Sequence, residues 1–188
     1  MNIAGKCFAA FLALIGLGFM SGGAIAAGDS WSIDDFPSEL APAFEDYPAR
    51  WPVPYALYSV DLQSHPDAPR FAEALEAAIG RAPGFATYYV VVQIGCGSGC
   101  VTVAAIDVDT GKVFIGPVAE HGVEYQAGST LLIVNPPSEL RWGYYSWYDR
   151  KSEIPLSIFP KYYQLTDEGF EFIWCWRPDG NGEGDTAC

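Results

Sequence analysis

Cysteines are the residues of this 188-residue chain whose type and spacing most directly suggest chemistry. Two of the five, Cys96 and Cys100, close the glycine-rich stretch CGSGC, named the CGSGC loop from here on. A cysteine pair this close is able to act as a redox dithiol, to bind a metal ion or to form a disulfide. The elements on either side of the pair decide between these three kinds of site.

The sequence after the CGSGC loop favours a disulfide. Cys100 is followed by VTVAAIDV, which has the β-branched pattern of a strand. Thioredoxin-type enzymes instead place C-x-x-C before a helix, where the pKa of a thiol is lowered. A zinc site needs four ligands at recognisable spacing, and the two histidines, His65 and His121, stand alone in loop-like sequence. The pair is therefore interpreted as a staple across a tight connection.

Four cysteines remain once Cys7, which lies in the apolar leader, is set aside. An even number of cysteines in an exported protein is typical of disulfides, and four cysteines allow three pairings. The local pairing, Cys96–Cys100 with Cys175–Cys188, is preferred because each pair brackets a glycine-rich stretch that can bend sharply.

Two acidic stretches imitate metal or catalytic sites. The C-terminal tail opens like a calcium loop, D-x-N-x-E-G, but no helical pattern brackets it, so an acidic turn closed by a disulfide is the preferred interpretation and calcium binding is the alternative. The four candidate ligands of the tail are Asp179, Asn181, Glu183 and Asp185. Asp107 and Asp109 form a second acidic pair. The hairpin turn DTG accounts for Asp109 as a turn residue, without a catalytic or metal-binding role.

Aromatic residues are concentrated in the insertion 137–160, within RWGYYSWYDR. Exposed rings at this density stack on sugars or anchor a protein interface. The alternative is an insertion that packs its own small core. The candidate binding residues are Trp142, Tyr144, Tyr145, Trp147 and Tyr148.

Residues 1–27 are typical of a cleaved export signal. Lys6 supplies the positive start, CFAAFLALIGLGFM the apolar centre, and Ala24-Ile25-Ala26 the A-x-A cleavage site. The apolar run is short for a membrane span of about 20 residues. We therefore expect a mature protein in the periplasm or outside the cell, without a membrane anchor.

The chain is strongly acidic, with a formal net charge of −13 at pH 7. Such a field repels nucleic acids and anionic lipid surfaces, which excludes both as partners. An acidic surface also keeps an exported protein soluble, and basic protein partners or divalent cations stay compatible with it. We expect an unknown protein or glycan ligand and no cofactor.

The elements that must position these residues follow from hydrophobic periodicity. A helix is predicted over 67–80, with Asp67 at its start, Pro69 in its first turn and Gly80 at its end. The apolar run FATYYVVVQIG predicts a central strand, and strand patterns flank the turns DTG and DEG, which predicts two hairpins. A further strand is predicted in STLLIVNPP.

These patterns predict an α+β fold in which an antiparallel sheet of about six strands carries one amphipathic helix. The predicted organisation is a Pro- and aromatic-rich extended arm over 28–66, a single domain over 67–176 and an acidic glycine-rich tail over 177–188. The side chains expected to be buried are Phe71, Leu75, Ile79, Val91, Val103, Ile106, Val113, Leu132, Val134 and Phe172.

Five stretches, GFATYY, QIGCGSGC, DVDTGKVF, STLLIV and YYQLTDEGFEF, occur in a fixed order. Over 71–174 the chain thereby resembles a group of small exported bacterial proteins with the pattern N-F-A-G-H-Y, W-G-C-G-x-x-C and D-x-x-T-G-x-V. Tyr88 stands where these proteins often have histidine, and Ile94 where they have tryptophan. The resemblance implies fold and export, and it implies no activity.

Two classes of function are compatible with these observations. The preferred hypothesis is a non-enzymatic exported protein that binds another macromolecule. The alternative is an enzyme, either a thiol-disulfide oxidoreductase that uses Cys96 and Cys100 or a hydrolase whose site the sequence does not reveal. A pocket with convergent polar groups favours the enzyme, whereas a flat exposed aromatic patch without such a pocket favours the binding protein.

Overall fold

Two antiparallel sheets make up the body of the protein in the computed structural model, which describes residues 36, 38–52, 55–140 and 158–176. The first sheet has the strands β1 (Tyr89–Gly97), β2 (Cys100–Asp107) and β3 (Val113–Ala119), in that order. The second has β4 (Val123–Tyr125), β5 (Leu131–Val134), β6 (Lys161–Leu165) and β7 (Phe170–Cys175), also in chain order. Every strand pairs antiparallel with its neighbour, so the α+β prediction is confirmed, with seven strands in the described residues instead of about six.

The helical segment before β1 is shorter and less regular than predicted. A 3-10 turn, Ala68–Phe71, leads into the helix α1, Ala72–Glu76, and residues 77–80 form turns. Pro69 lies at the start of the 3-10 turn, where its missing N–H costs no hydrogen bond. A second short helix, α2 (Pro137–Leu140), follows β5.

The three-stranded sheet is covered on both faces. One face packs against Leu57, Ala68 and Leu75 of the arm and helical segment, and the other packs against the second sheet. Alternate residues therefore face different hydrophobic clusters: Val90 and Val92 lie in the first and Val91 in the second. Burial on both faces explains why FATYYVVVQIG is nearly continuous in apolar residues.

The outer face of the four-stranded sheet is covered by the arm. Phe36, Phe44 and Tyr47 pack against Ile133 and Tyr162 on that face. A 3-10 turn at Phe44–Asp46 is the helical turn found in the described part of the arm. The layers are thus helical segment, three-stranded sheet, four-stranded sheet and arm.

The chain forms two sheets because the connection after β3 turns away from the first sheet. Pro117 in β3 lacks the N–H that a further strand would need. The turn after it is fixed by Asn135, whose Oδ1 accepts hydrogen bonds from the backbone N–H groups of Glu120 and His121, both at 2.8 Å. Asn135 is fully buried, so these bonds anchor the start of β4 beside β5.

The prediction that the run FATYYVVVQIG forms a central strand is wrong. β1 is an edge strand, and β2 is the centre of its sheet. The guanidinium of Arg81 donates to the carbonyl oxygen of Val91 at 3.0 Å, which satisfies an edge acceptor with a side chain.

Two of the side chains expected in the core lie at the surface. Ile79 is 48% exposed because α1 ends at Glu76, which removes Ile79 from the buried helical face. Phe172 is 41% exposed because β7 is an edge strand, and its ring packs on Tyr163 instead. Phe71 is partly buried. The other seven are buried: Leu75, Val91, Val103, Ile106, Val113, Leu132 and Val134.

In the described residues, no helix has the length and apolar character that crossing a membrane requires.

Candidate functional site

A cleft of about 490 Å³ opens at the end of the molecule where two hairpin turns meet. One wall is the turn between β2 and β3, the other is the turn between β6 and β7, and residues 86–89 lie between them. The charged and aromatic side chains that line it are Arg50, Tyr88, Tyr89, Asp107, Asp109 and Asp167. Its volume lies within the range of small-ligand sites.

The backbone between the walls is strained. Ala86 and Thr87 have φ angles of 47° and 61°, in the left-handed region that a β-branched residue such as Thr87 rarely adopts. Two contacts keep the segment in place: the backbone N–H of Ala86 donates to the carbonyl oxygen of Ser129 at 3.1 Å, and Thr87 Oγ1 donates to the carbonyl oxygen of Arg50 at 3.0 Å. Strain of this kind concentrates at functional sites, which makes the cleft the leading candidate.

The β2–β3 turn carries two aspartates with different roles. Asp107 Oδ1 accepts hydrogen bonds from the backbone N–H groups of Asp109, at 2.7 Å, and of Thr110, at 3.1 Å. Asp107 is therefore the residue that builds the turn. Asp109 is exposed, and its Oδ1 accepts a hydrogen bond from the hydroxyl of Tyr55 in the arm.

The pKa values of two tyrosines report the electrostatic potential of the cleft. The hydrogen bond to Asp109, followed by desolvation and the charge of Asp109, raises the pKa of Tyr55 to about 12. Burial, followed by the charges of Asp107 and Asp167, raises the pKa of Tyr89, and Arg50 opposes that shift. Two carboxylates thus contribute to the raised pKa of each tyrosine, and Arg50 opposes the shift at Tyr89.

The two walls are tied together by Lys112, which follows the β2–β3 turn. Its Nζ donates to the backbone carbonyl oxygen of Asp167 at 3.1 Å and lies 4.4 Å from the centroid of the Phe114 ring. Lys112 thus links the two walls through one exposed hydrogen bond, beside a cation–π contact within the first sheet.

The CGSGC loop is a tight hairpin connection that leads into a strand. Gly97 pairs with Cys100, and Ser98 and Gly99 form the turn between β1 and β2. Cys96 and Cys100 are disulfide-bonded, with Cα atoms 5.4 Å apart, and Cys96 is exposed. The predicted pairing of these two cysteines and the strand after them are therefore present.

Of the other predicted site residues, only Cys175 is among the described residues; it is disulfide-bonded and buried at the end of β7. Its predicted partner Cys188 lies outside the described residues, as do the tail ligands Asp179, Asn181, Glu183 and Asp185. So do the candidate binding residues of the insertion, Trp142, Tyr144, Tyr145, Trp147 and Tyr148.

Among the residues that the structure describes, no three His, Cys, Asp or Glu side chains are grouped so that they could hold a metal ion. His65 is engaged locally, since its Nδ1 accepts a hydrogen bond from the backbone N–H of Asp67 at 3.1 Å. Asp107 and Asp109, which resemble a metal pair on paper, serve the turn and the contact with Tyr55.

The cleft combines residues that are far apart in the sequence. Arg50 comes from the arm, Tyr89 from the start of β1, and Asp167 from the second hairpin, and Tyr55 of the arm bonds to Asp109 beside them. One signal was available: Asp109 and Asp167 both occupy predicted hairpin turns, DTG and DEG. Nothing local indicates that these two turns lie side by side. Tyr88, which replaces the histidine of the resembled pattern, also lines the cleft.

No family model matches this chain, and comparisons with curated proteins and with solved structures also give no significant match.

Proposed function

We propose that this is an exported binding protein without catalytic activity, and that its cleft takes an organic cation bearing an amino or guanidinium group. The observation that carries the proposal is the composition of the cleft. Asp107, Asp109 and Asp167 line it with a single arginine, Arg50, and with partly buried tyrosine rings. The β2–β3 turn and Tyr55 use the Oδ1 atoms of Asp107 and Asp109, so their Oδ2 atoms and the Asp167 carboxylate are left for a ligand. Among the described residues, the lining contains no histidine, cysteine or serine to serve as a base or nucleophile, which favours binding over catalysis. Carboxylates with aromatic faces are the groups that recognise organic cations. Export is supported by the leader and the cysteines.

An organic cation fits better than a metal ion because the carboxylates stand on separate walls. Asp109 belongs to the β2–β3 turn and Asp167 to the β6–β7 turn. The described residues bring no three ligating side chains together around a point. A guanidinium group has five donors spread over a plane, so it is able to reach carboxylates on different walls.

Calorimetric titration with three small probes tests this proposal. N-acetyl-arginine amide and N-acetyl-lysine amide carry the cation, and N-acetyl-glutamine amide is their neutral control. We expect the two cationic amides to bind, the arginine derivative more tightly, and the neutral amide to give no heat. Rising ionic strength should weaken binding because the carboxylates of the rim are exposed.

Single-charge variants locate the binding to the cleft. Asp167→Asn is expected to weaken the arginine derivative about threefold to tenfold, the effect of losing one charged hydrogen bond at a partly solvated site. Glu76→Gln, on α1 at the opposite face of the first sheet, removes the same charge and should leave binding unchanged. Equal loss in both variants, equal binding of the neutral amide, or no binding of either cation would refute the proposal.

A second candidate function is thiol-disulfide exchange at the CGSGC loop, because Cys96 is exposed at the end of a hairpin. The strand that follows Cys100 supplies no helix start to stabilise a thiolate. We therefore favour a structural disulfide. A redox titration with an insulin-reduction assay decides between the two: a potential near that of known thiol oxidants, with turnover lost in Cys96→Ser, would establish the oxidoreductase.

A further inference from the structure

Two aromatic rings are exposed to solvent on the arm beside the cleft, within residues 50–52 and 55–58. Trp51 is 88% exposed and Tyr58 is 87% exposed, which makes them the most exposed large hydrophobic side chains of the described residues. Tyr55, which lies between them in sequence, is hydrogen-bonded to Asp109 of the cleft. Tryptophan and tyrosine are enriched at interfaces because they combine a large apolar ring with a polar group.

The described backbone next to each ring is hydrogen-bonded to the body of the protein. Just before the segment, the N–H of Ala49 donates to the carbonyl oxygen of Gly128 at 2.8 Å. Thr87 Oγ1 donates to the carbonyl oxygen of Arg50 at 3.0 Å, next to Trp51. Leu57 is bonded through its N–H to the carbonyl oxygen of Arg81 at 2.9 Å, next to Tyr58. Trp51 and Tyr58 are therefore presented by a fixed backbone and lose little backbone entropy when a partner binds.

The backbone that carries each ring runs beside the cleft. Trp51 directly follows Arg50, which lines the cleft. Tyr58 directly precedes Ser59, whose backbone passes so close to Gly111 in the β2–β3 turn that a Cβ there would lie 2.7 Å from the Ser59 carbonyl oxygen. An exposed ring is therefore attached to the chain near each side of the acidic cleft, within reach of a ligand larger than one amino or guanidinium group.

We infer that the natural occupant of this surface is a basic, extended segment of another protein, with one lysine or arginine side chain in the cleft and its neighbours lying over Trp51 and Tyr58. This inference rests on the proposed function of the cleft. Charge complementarity supports it, since the whole chain carries −13. Tryptophan and tyrosine beside an ion pair are the usual anchors of such interfaces.

An eight-residue peptide of alternating arginine and glycine, compared with N-acetyl-arginine amide, tests the inference by calorimetry. We expect the peptide to bind at least tenfold more tightly than the amide. Trp51→Ala should weaken the peptide about fivefold to tenfold, as for an interface anchor, and change the affinity for the amide less than twofold. Leu40→Ala, which truncates another exposed hydrophobic residue on the arm, is the matched control and should change neither affinity.

Failure of the inference is distinguishable from failure of the proposed function. If the amide binds but the peptide binds no more tightly, or if Trp51→Ala weakens both equally, the partner class is wrong and the cationic site stands. If a linear polyamine binds as tightly as the peptide, a small molecule replaces the protein partner. If neither amide nor peptide binds, both proposals are overturned.

Discussion

Thr87 illustrates at the scale of single residues how the cleft is held open. Its φ of 61° is unfavourable for a β-branched side chain, yet its hydroxyl bonds to the backbone of the arm and its neighbour Ala86 bonds to Ser129. The surrounding contacts offset a strain of about 1–3 kcal/mol. Tyr55 and Asp109 form a second such contact, in which an arm residue is joined to a turn more than fifty positions away.

Removing the hydroxyl of Thr87 while keeping its shape should destabilise the protein. In Thr87→Val the β-branched strain remains and the hydrogen bond to Arg50 is lost, so we expect the free energy of unfolding to fall by about 1–2 kcal/mol. Thr87→Ser keeps the hydroxyl and relieves the branching, and it should stay within about 0.5 kcal/mol of the parent. Urea unfolding measures both. A smaller loss in Thr87→Val than in Thr87→Ser would contradict the role assigned to the hydroxyl.

Tyr55 should make stability fall at alkaline pH. Its pKa is raised from 10.0 to about 12 in the folded protein, first by the hydrogen bond to Asp109. The folded state therefore holds the phenolic proton more tightly than the unfolded state, and this stabilisation is complete below pH 10 and is lost as the pH rises toward 12. The difference in tyrosinate absorbance between the parent and Tyr55→Phe should show a midpoint near 12. Asp109→Asn should move that midpoint down toward 10; an unchanged midpoint would exclude the contact.

Hairpins are the elements that supply the chemistry of this molecule. The β2–β3 turn places Asp109 and the β6–β7 turn places Asp167, while the β1–β2 connection carries the disulfide. The two turns that border the cleft are also bonded to distant parts of the chain. The backbone N–H of Asp61 donates to the carbonyl oxygen of Gly111 at 2.8 Å, and Lys112 bonds to Asp167. These bonds connect the β2–β3 turn to the arm and the two turns to each other.

A methyl group at Gly111 should damage the β2–β3 turn. The residue has a φ of 73°, and an added Cβ would lie 2.7 Å from the carbonyl oxygen of Ser59, which is backbone and unable to rotate away. We expect Gly111→Ala to lower the free energy of unfolding by about 1–3 kcal/mol and to weaken ligand binding. Gly128→Ala is the matched control, because nothing lies within 4 Å of its added Cβ. Chemical denaturation of both variants checks this, and equal stability would show that the turn adapts.

The disulfide of the CGSGC loop should contribute to stability without determining the fold. Because the ring that it closes is small, the double variant Cys96→Ser with Cys100→Ser should lose about 2 kcal/mol on the loop-entropy model. Its far-ultraviolet circular dichroism should stay that of the parent, since β1 and β2 keep their backbone pairing. Loss of the strand signal would instead mean that the staple is required for folding.

At the scale of the whole molecule, one hydrophobic cluster joins the two sheets. Phe85 is completely buried there and packs on Tyr125 and Phe170, with ring centroids 5.7 and 6.4 Å apart. Gly116 of β3 lies so close to the Phe170 ring of the second sheet that an added Cβ would be 2.7 Å from ring carbons. The helical segment and the arm form further hydrophobic clusters on the outer faces, and the cluster around Phe85 is the one that the two sheets share.

Truncation of Phe85 should therefore destabilise both sheets together. Phe85→Ala is expected to cost about 3–5 kcal/mol, the usual effect of a buried aromatic truncation, in one cooperative transition. Because the side chain of Phe172 is 41% exposed, Phe172→Ala should lower the free energy of unfolding by about 1 kcal/mol or less. Thermal unfolding followed by circular dichroism and by tryptophan fluorescence should give coincident curves in each variant. Two separate transitions would show that the sheets fold independently.

The sequence by itself determined the elements of this protein, because their signals are local. The turn residues of DTG and DEG, the β-branched runs beside them and the glycines of the CGSGC loop act over a few residues, and the structure has hairpins at all three places. Burial also followed from alternation where a strand is covered, as at Val91 and Val103. It failed at Ile79, where the helix ends early, and at Phe172, where no strand covers the edge.

Only the tertiary structure decided how the hairpins are arranged. The division into two sheets depends on Pro117 and on the buried Asn135, whose bonds to Glu120 and His121 join positions that periodicity does not connect. The cleft depends on the meeting of Arg50, Asp109 and Asp167, which lie on the arm and on two separate turns. A local pattern fixes the conformation of its own segment, whereas the distance between segments follows from packing of the entire chain. The strained φ of Thr87 is likewise decided by tertiary structure, because residues distant in the sequence hold it in that conformation.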